Sequence, residues 1–373
     1  MPDKIAFVIH GLQVGGAEKF FVDLVNGFHQ AGYRPLVIVF DQSSPLVKDL
    51  HQDIPLVPLP RKYKYDLSVS WKLKKIIIHH EITKVFCVEG FSFFLAKYPF
   101  FGNTKIIFYL SLHSTLPISK KRYLLDLFYL RFVQRQDKVI FICEYQRQLF
   151  KSKYYFSASH SCVIYNGINI THYSKNQTRA EWEIDDLNWR ESLGIPKNDK
   201  VVIMIGRISV EKRHIDAIHA LEVFHRKYNR KIHLVIVGDG SAALLKDMKD
   251  ALTKMKLDNY IHLIGAKKDV RPYLNSADIF TLTSFSETFS IAALEALSMQ
   301  LPCSLTNVGG AAEMLAEGKL GNLSDPWNPQ SIASSWKSLL ENMPDPQVIR
   351  AYVENHYSRE KMIASYIGYL SAN

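Results

Sequence analysis

Three observations predict an α/β fold of two doubly wound, Rossmann-like parallel-sheet domains facing one another across a cleft. The chain is 373 residues long, about two domains' worth. Short apolar runs of strand type alternate with helix-forming segments along both halves, as parallel βαβ units require. A polar stretch, Ser174–Asp199, breaks this alternation and reads as a linker leading into a second domain. The expected domains are therefore residues 1–173 and 174–373.

In the first domain the strand-like runs are Ile5–Ile9, Leu36–Phe40, Lys84–Val88, Lys105–Leu110 and Lys138–Ile142, rich in the β-branched and aromatic types that suit a pleated sheet. Ala17–Ala31 follows the first of them with amphipathic helical spacing. In the second domain the runs are Val201–Ile205, His233–Val237, His262–Ile264, Ile279–Thr283 and Pro302–Thr306. Helices are expected at Lys212–Tyr228, Ala242–Met255, Val270–Asn275 and Ile291–Met299. A last helix, Arg359–Leu370, carries Met362, Ile363, Tyr366 and Ile367 on one face, and residues 359–373 are expected to pack back onto the first domain. In such sheets ligands bind beyond the carboxyl ends of the strands, so the loops there are where function is sought.

With 47% hydrophobic and 22% charged residues the chain has an ordinary globular composition. No stretch approaches the ~20 apolar residues of a membrane span, and the first strand starts too early for a cleavable signal, so a cytoplasmic location is expected. Cys87, Cys143, Cys162 and Cys303 are scattered without a Cys-x-x-Cys pair and read as reduced, mostly buried thiols. The net charge of +10 is uneven: residues 1–160 hold 22 basic against 12 acidic side chains, whereas residues 161–373 hold 24 of each. The excess clusters at Arg61-Lys62-x-Lys64, Lys72-x-Lys74-Lys75, Lys120-Lys121-Arg122 and Arg131 through Lys138, with Tyr63, Tyr65, Trp71, Tyr123, Phe128, Tyr129 and Phe132 interleaved. Such a face suits an anionic membrane, an anionic substrate or nucleic acid.

The segment Ser284–Met299 puts Glu287 in the loop after a strand and Glu295 about two turns into the following helix, roughly 9 Å along its axis. The spacing alone is also that of a solvated surface helix. The N–H groups of Phe289, Ser290 and Ile291 at the helix start attract a phosphate, and a carboxylate binds vicinal hydroxyls well. A sugar nucleotide matches this layout. Thr288 and Ser290, between the glutamates, are expected to crowd or hydrogen-bond the sugar. Gly206-Arg207 and Lys212 bracket the loop after the first strand of the second domain, where two cations neutralise a diphosphate. Gly238 and Gly240 close the next strand and permit close approach by a ligand, and Val308-Gly309-Gly310 with Glu313 is similar. Near the amino end, Gly15 and Gly16 open a helix but do not form the G-x-G-x-x-G dinucleotide fingerprint. His113 follows a strand and is expected to point into the cleft. There is no Asp-x-Asp, no His/Cys/Asp set with metal-ligand spacing and no G-x-S-x-G nucleophile motif. Neither a metal nor a cofactor is expected.

Taken in order, Gly15-Gly16-Ala17-Glu18, His113, Asn166-Gly167-Ile168, Gly206-Arg207 with Lys212, Val237-Gly238-Asp239-Gly240, Ala277-Asp278, the Glu287/Glu295 pair and Gly309-Gly310 with Glu313 resemble the family-4 retaining glycosyltransferases of the GT-B fold. The likeness covers nearly the whole chain and is greatest to bacterial enzymes of O-antigen, capsule and other lipid-linked glycans. It implies a UDP-linked sugar as donor, a glycan or lipid-linked glycan as acceptor, and metal-independent front-face displacement. It implies that Arg207 and Lys212 contact the donor diphosphate, Glu287 and His113 the donor sugar, and Glu295 the ribose. Gly15, Gly16, Gly206, Gly238 and the run Thr288, Phe289, Ser290 and Ile291 complete the donor site. Two departures stand out: Glu287-Thr288-Phe289-Ser290 replaces the usual Glu-Gly-Phe-Gly, and Asn169 replaces the usual Asp. The basic, aromatic first domain then reads as the acceptor-binding face, in peripheral contact with an anionic membrane. The alternatives are a nucleotide-sugar epimerase of the same fold, which alters a donor without any acceptor, and a nucleic-acid-binding surface, which matches no named motif.

Overall fold

The computed structural model describes residues 4–13, 15–41, 45–63, 66–102, 105–114, 120–154, 160–175 and 188–372, without the side chains of residues 120–122. Lys64, Tyr65, the Lys120-Lys121-Arg122 side chains and residues 176–187 of the expected linker thus lie outside the described residues. The chain forms two compact units: Met1–Gly167 with Arg359–Asn373, and Ile168–Ser358.

The first unit holds β1 (Lys4–Ile9), β2 (Arg34–Val39), β3 (Leu56–Pro58), β4 (Lys84–Val88), β5 (Ile107–Leu112), β6 (Lys138–Phe141) and β7 (Ser161–Val163). They form one parallel sheet in the order β3-β2-β1-β4-β5-β6-β7. Both faces are buried. Ala6 and Val8 belong to one apolar cluster while Ile5, Phe7 and Ile9 belong to the other, so period-2 alternation feeds two cores rather than one. The Arg359–Ser371 helix lies in this unit and adds Met362, Tyr366 and Leu370 to the second cluster, beside Phe20, Phe21 and Leu24 of the Gly16–Gln30 helix. Lys84 Nζ donates to the Leu370 carbonyl at 2.6 Å, which satisfies a helix-end acceptor.

The second unit holds β8 (Lys200–Ile205), β9 (Ile232–Val237), β10 (Ile261–Leu263), β11 (Ile279–Leu282), β12 (Cys303–Thr306) and β13 (Gly321–Ser324). All neighbours are parallel, in the order β10-β9-β8-β11-β12-β13. The Ala242–Met255 helix occupies the predicted residues, and those at His214–Tyr228, Arg271–Asn275 and Ile291–Ser298 differ from the prediction by one or two residues at an end.

Several elements differ from the sequence reading. β5 starts at Ile107 and runs on to Leu112, because Ser111 and Leu112 pair with Ile140 and Phe141. β3, β7 and β13 lack any long apolar run: β3 ends in Pro58, β7 contains Ser161 and Cys162, and β13 reads Gly-Asn-Leu-Ser. The units divide at Gly167/Ile168, ahead of the expected residue 173. The Ile168 N–H donates to the Tyr357 carbonyl at 2.8 Å, and Arg350 donates to the carbonyls of Ile170 at 2.9 Å and Tyr173 at 2.6 Å. These bonds tie residues 168–173 to the second unit. Cys87, Cys143 and Cys303 are buried free thiols and Cys162 is half-buried. Among the described residues no helix is long and apolar enough to cross a membrane.

Candidate functional site

In the second unit the chain runs β8 to β9 to β10 in one direction and returns to place β11 against β8. That reversal is the topological switch point, where an open α/β sheet leaves a crevice beyond its strand ends. The loop after β8, residues 206–213, and the loop after β11, residues 283–290, flank it. They are stitched together: Thr283 Oγ1 donates to the carbonyls of Lys212 at 3.1 Å and Arg213 at 2.9 Å, and the Phe285 N–H donates to the Glu211 carbonyl at 3.0 Å. Across this seam Lys212 Nζ donates to Glu287 Oε2, each side chain keeping about a quarter of its surface, 23% and 25%, in solvent. The pair holds an ammonium and a carboxylate at one point of the crevice while leaving both in reach of solvent. Arg207 is exposed on the same loop.

Glu295, four residues into the Ile291–Ser298 helix, is 6% exposed, and its Oε1 accepts from the Tyr173 hydroxyl at 2.6 Å. Burial, reinforced by the Glu295 charge, pushes the Tyr173 phenol far up, so it remains a donor. Tyr173 went unnoticed in the sequence because nothing in its neighbourhood pairs it with a glutamate so far along the chain. The Ser290 hydroxyl accepts from the Ala293 N–H at 3.4 Å and caps the helix. Thr288 and Phe289 are buried, Phe289 against the Tyr357 ring at 5.3 Å.

Two glycines explain the loop shapes. Gly238 has φ +158, and a Cβ there would lie 2.0 Å from the Gly206 carbonyl oxygen. The neighbouring loop makes a close approach here; Gly206 N–H to Val237 O and Ile208 N–H to Asp239 O zip the two loops together. Gly309 has φ +58, and its Cβ would meet the Glu287 carbonyl oxygen at 2.0 Å, while the Gly310 N–H donates to the Thr288 carbonyl at 2.8 Å. The Val308-Gly309-Gly310 turn is thus the floor under Glu287. Outside these contacts, Arg213 (φ +51) forms a bidentate pair with Asp216 and lies 4.2 Å over the Trp327 ring, which stacks on Phe285 at 4.9 Å.

The first unit carries its own candidates. Gly15, extended at φ −162, caps the Gly16–Gln30 helix that follows β1. His113 comes directly after β5. Its ring lies 4.2 Å from that of Phe20, its Nε2 shares a hydrogen bond with Ser111 Oγ at 3.0 Å, and its N–H donates to Glu89 Oε1 at 3.1 Å. Burial pushes the imidazole down to about 3, so it is neutral at physiological pH. The ring thus packs against Phe20 beside the Ser111 hydroxyl.

Comparison with known proteins adds the following. Residues 14–172 match the family described as Glycosyltransferase Family 4, and residues 185–356 match Glycosyl transferases group 1. The chain is 29% identical over 209 residues to an uncharacterised glycosyltransferase of Methanocaldococcus jannaschii, which covers 53% of this chain and 48% of that protein. It is 26% identical over 271 residues to the UDP-Gal:alpha-D-GlcNAc-diphosphoundecaprenol alpha-1,3-galactosyltransferase of Escherichia coli, covering 71% and 64% respectively. The chain thus spans about half to two thirds of the length of these relatives, about half in the first case. Among solved structures, Anabaena HepE in complex with UDP shares the fold with a TM-score of 0.83 at 20% identity, over 99% of this chain and 100% of that one.

Proposed function

This chain belongs to the family-4 glycosyltransferases of the GT-B fold, and on that footing we propose that it moves a sugar from a UDP-linked donor to a hydroxyl of a glycan acceptor, with retention of anomeric configuration. The observation that carries this is the Lys212–Glu287 pair at the switch point of the second sheet, with Arg207 on the same loop. Arg207 and Lys212 bind the donor diphosphate and stabilise the charge it gains on leaving. Glu287 holds the sugar hydroxyls, Glu295 the ribose, and the capped start of the Ile291–Ser298 helix directs its N–H groups toward a phosphate. For Gly15, Gly16 and His113 of the first unit the support is the family resemblance alone, which gives the glycines a phosphate and the imidazole the donor sugar.

In the reaction the bond between anomeric carbon and diphosphate oxygen breaks and its electrons stay on the diphosphate. The acceptor oxygen attacks the same face, and its proton passes to the departing phosphate oxygen. The two cations supply the charge this requires, so no divalent ion or cofactor is part of the proposal. No second carboxylate is needed as a nucleophile, unlike a double-displacement glycosidase.

The acceptor is proposed to be lipid-linked, as the printed name of the Escherichia coli relative describes for that protein. An exposed aromatic surface on the first unit supports this. Phe128, Phe132 and Phe101 form a chain of rings 5.3 Å apart, Tyr98 adjoins Phe132, and Lys74 lies between the rings of Trp71 and Phe100. Trp71, Phe101 and Phe128 are all about half exposed. Exposed rings with interleaved lysines suit the interface of an anionic bilayer. Sedimentation with anionic and neutral vesicles at moderate salt tests the membrane contact; equal binding to both contradicts it. Anomeric analysis of the product by NMR tests retention, and an inverted product contradicts it.

A further inference from the structure

We propose that His29, His51 and Asp53 form a binding site for one divalent transition metal of the zinc class, on the first unit and remote from the transfer chemistry. His51-x-Asp53 has one histidine, and His29 belongs to a different element, so no metal-ligand spacing marks the set along the chain. The fold brings them together: one ligand atom from each of the three lies within 4.8 Å of the others. The His29 and His51 rings are 4.4 Å apart and inclined by 34°. Asp53 Oδ2 lies 3.6 Å from His51 Nδ1. Ligand atoms at the ~2.1 Å bond lengths of zinc are about 3.4 Å apart around a tetrahedron, so this edge is nearly at its bound length. The Asp53 N–H donates to His51 Nδ1 at 3.3 Å, a long hydrogen bond that an ion taking that lone pair would replace.

The scaffold is rigid where a site needs it. Asn26, one turn before His29 on the Gly16–Gln30 helix, donates from Nδ2 to the Asp49 carbonyl at 2.8 Å and accepts the His51 N–H on Oδ1 at 2.9 Å. The loop bearing His51 and Asp53 is thereby fixed to the helix bearing His29. His29 lies in the last turn of that helix, where the aligned backbone dipoles favour a positive ion. Two imidazoles and one carboxylate select zinc-like metals over magnesium or calcium and leave a fourth position for water. His29 and Asp53 also line a cavity of about 510 Å³ with Tyr33, Arg34 and His80. Lys4 and Arg34, which share that cavity, begin β1 and β2, so the site lies at the amino ends of the strands, whereas Gly15 and His113 follow carboxyl ends. The metal would brace the helix end against the loop that leads into β3 and take no part in transfer.

The test is titration of the metal-free full chain with Zn²⁺ by calorimetry, repeated with Co²⁺ by visible absorption. The wild type is expected to bind one ion per chain and to show a rise in melting temperature. His29→Ala and His51→Ala should each weaken binding by at least about tenfold and lose that rise, while His356→Ala, at an exposed histidine of the second unit, changes neither. Asp53→Asn, at an exposed loop position, gives the same reading if a histidine variant folds poorly. Absence of stoichiometric binding, or equal binding by the wild type and the His29 and Asp53 variants, overturns the proposal. Neither result depends on transferase activity.

Discussion

Lys212 and Glu287 are useful to one another before any donor arrives, because each fixes the other's position while both remain accessible. Lys212→Ala and Arg207→Ala should therefore lower kcat by about a hundredfold or more, the scale of losing one preorganised charge partner. Exposed Arg207 contributes little stability, so its variant should melt as the wild type does, whereas Lys212→Ala leaves a largely buried carboxylate without its ammonium and should melt somewhat lower; comparing turnover with thermal melts checks this. Glu295 behaves differently because it is buried on the Tyr173 hydroxyl. Tyr173→Phe leaves a buried carboxylate one donor short, a cost of about 1–3 kcal/mol, and should raise the KM for donor more than it lowers kcat. Steady-state kinetics against donor concentration separates the two. The charged candidates were legible because strand-end loops with Arg, Lys and Glu have a chemical reading of their own. Tyr173 was not, because a hydrogen bond between residues 122 positions apart leaves no local signature.

At the scale of elements, two glycines let neighbouring loops close on one another. Gly238 accommodates the Gly206 carbonyl and Gly309 accommodates that of Glu287. Gly309→Ala combines a strained positive φ with a 2.0 Å contact, so the loop under Glu287 must shift. A large loss of turnover with a modest drop in melting temperature is expected, measured on the same preparation. Trp327→Ala, which removes the stack on Phe285 and beneath Arg213, should loosen the Lys212 and Glu287 loops together. Its kcat should fall and Trp327→Phe should recover most of it; no recovery by Phe would leave the stack without a positioning role. Helices with clear periodicity were readable to within a residue or two. The strands β3, β7 and β13 were not, since three or four residues paired at or near a sheet edge require no apolar run of their own.

For the whole molecule, alternation of strand and helix was enough to predict two parallel sheets, and the strand order within each follows from right-handed crossovers on either side of a switch point. The division between units was harder to read, because Arg350 and Tyr357 claim residues 168–173 from far along the chain. Stability should also depend on pH in a direction the buried histidines set. Burial holds His113 down to about 3, and His214 and His262 to about 4, all below the ordinary 6.5. The unfolded chain takes up protons below 6.5 that the folded chain refuses, so stability falls as the pH drops from 6.5 toward about 4. The effect is confined to that window and is absent above it. Urea melts between pH 7 and 5 should show the midpoint falling, and His214→Asn should flatten the slope. The central claim, that the switch point of the second sheet binds and activates a nucleotide sugar, is tested most directly by incubating the wild type and Lys212→Ala with a panel of UDP-sugars and following UDP release. The account predicts release from at least one donor by the wild type and about a hundredfold less by Lys212→Ala; a variant that turns over as fast as the wild type would contradict it.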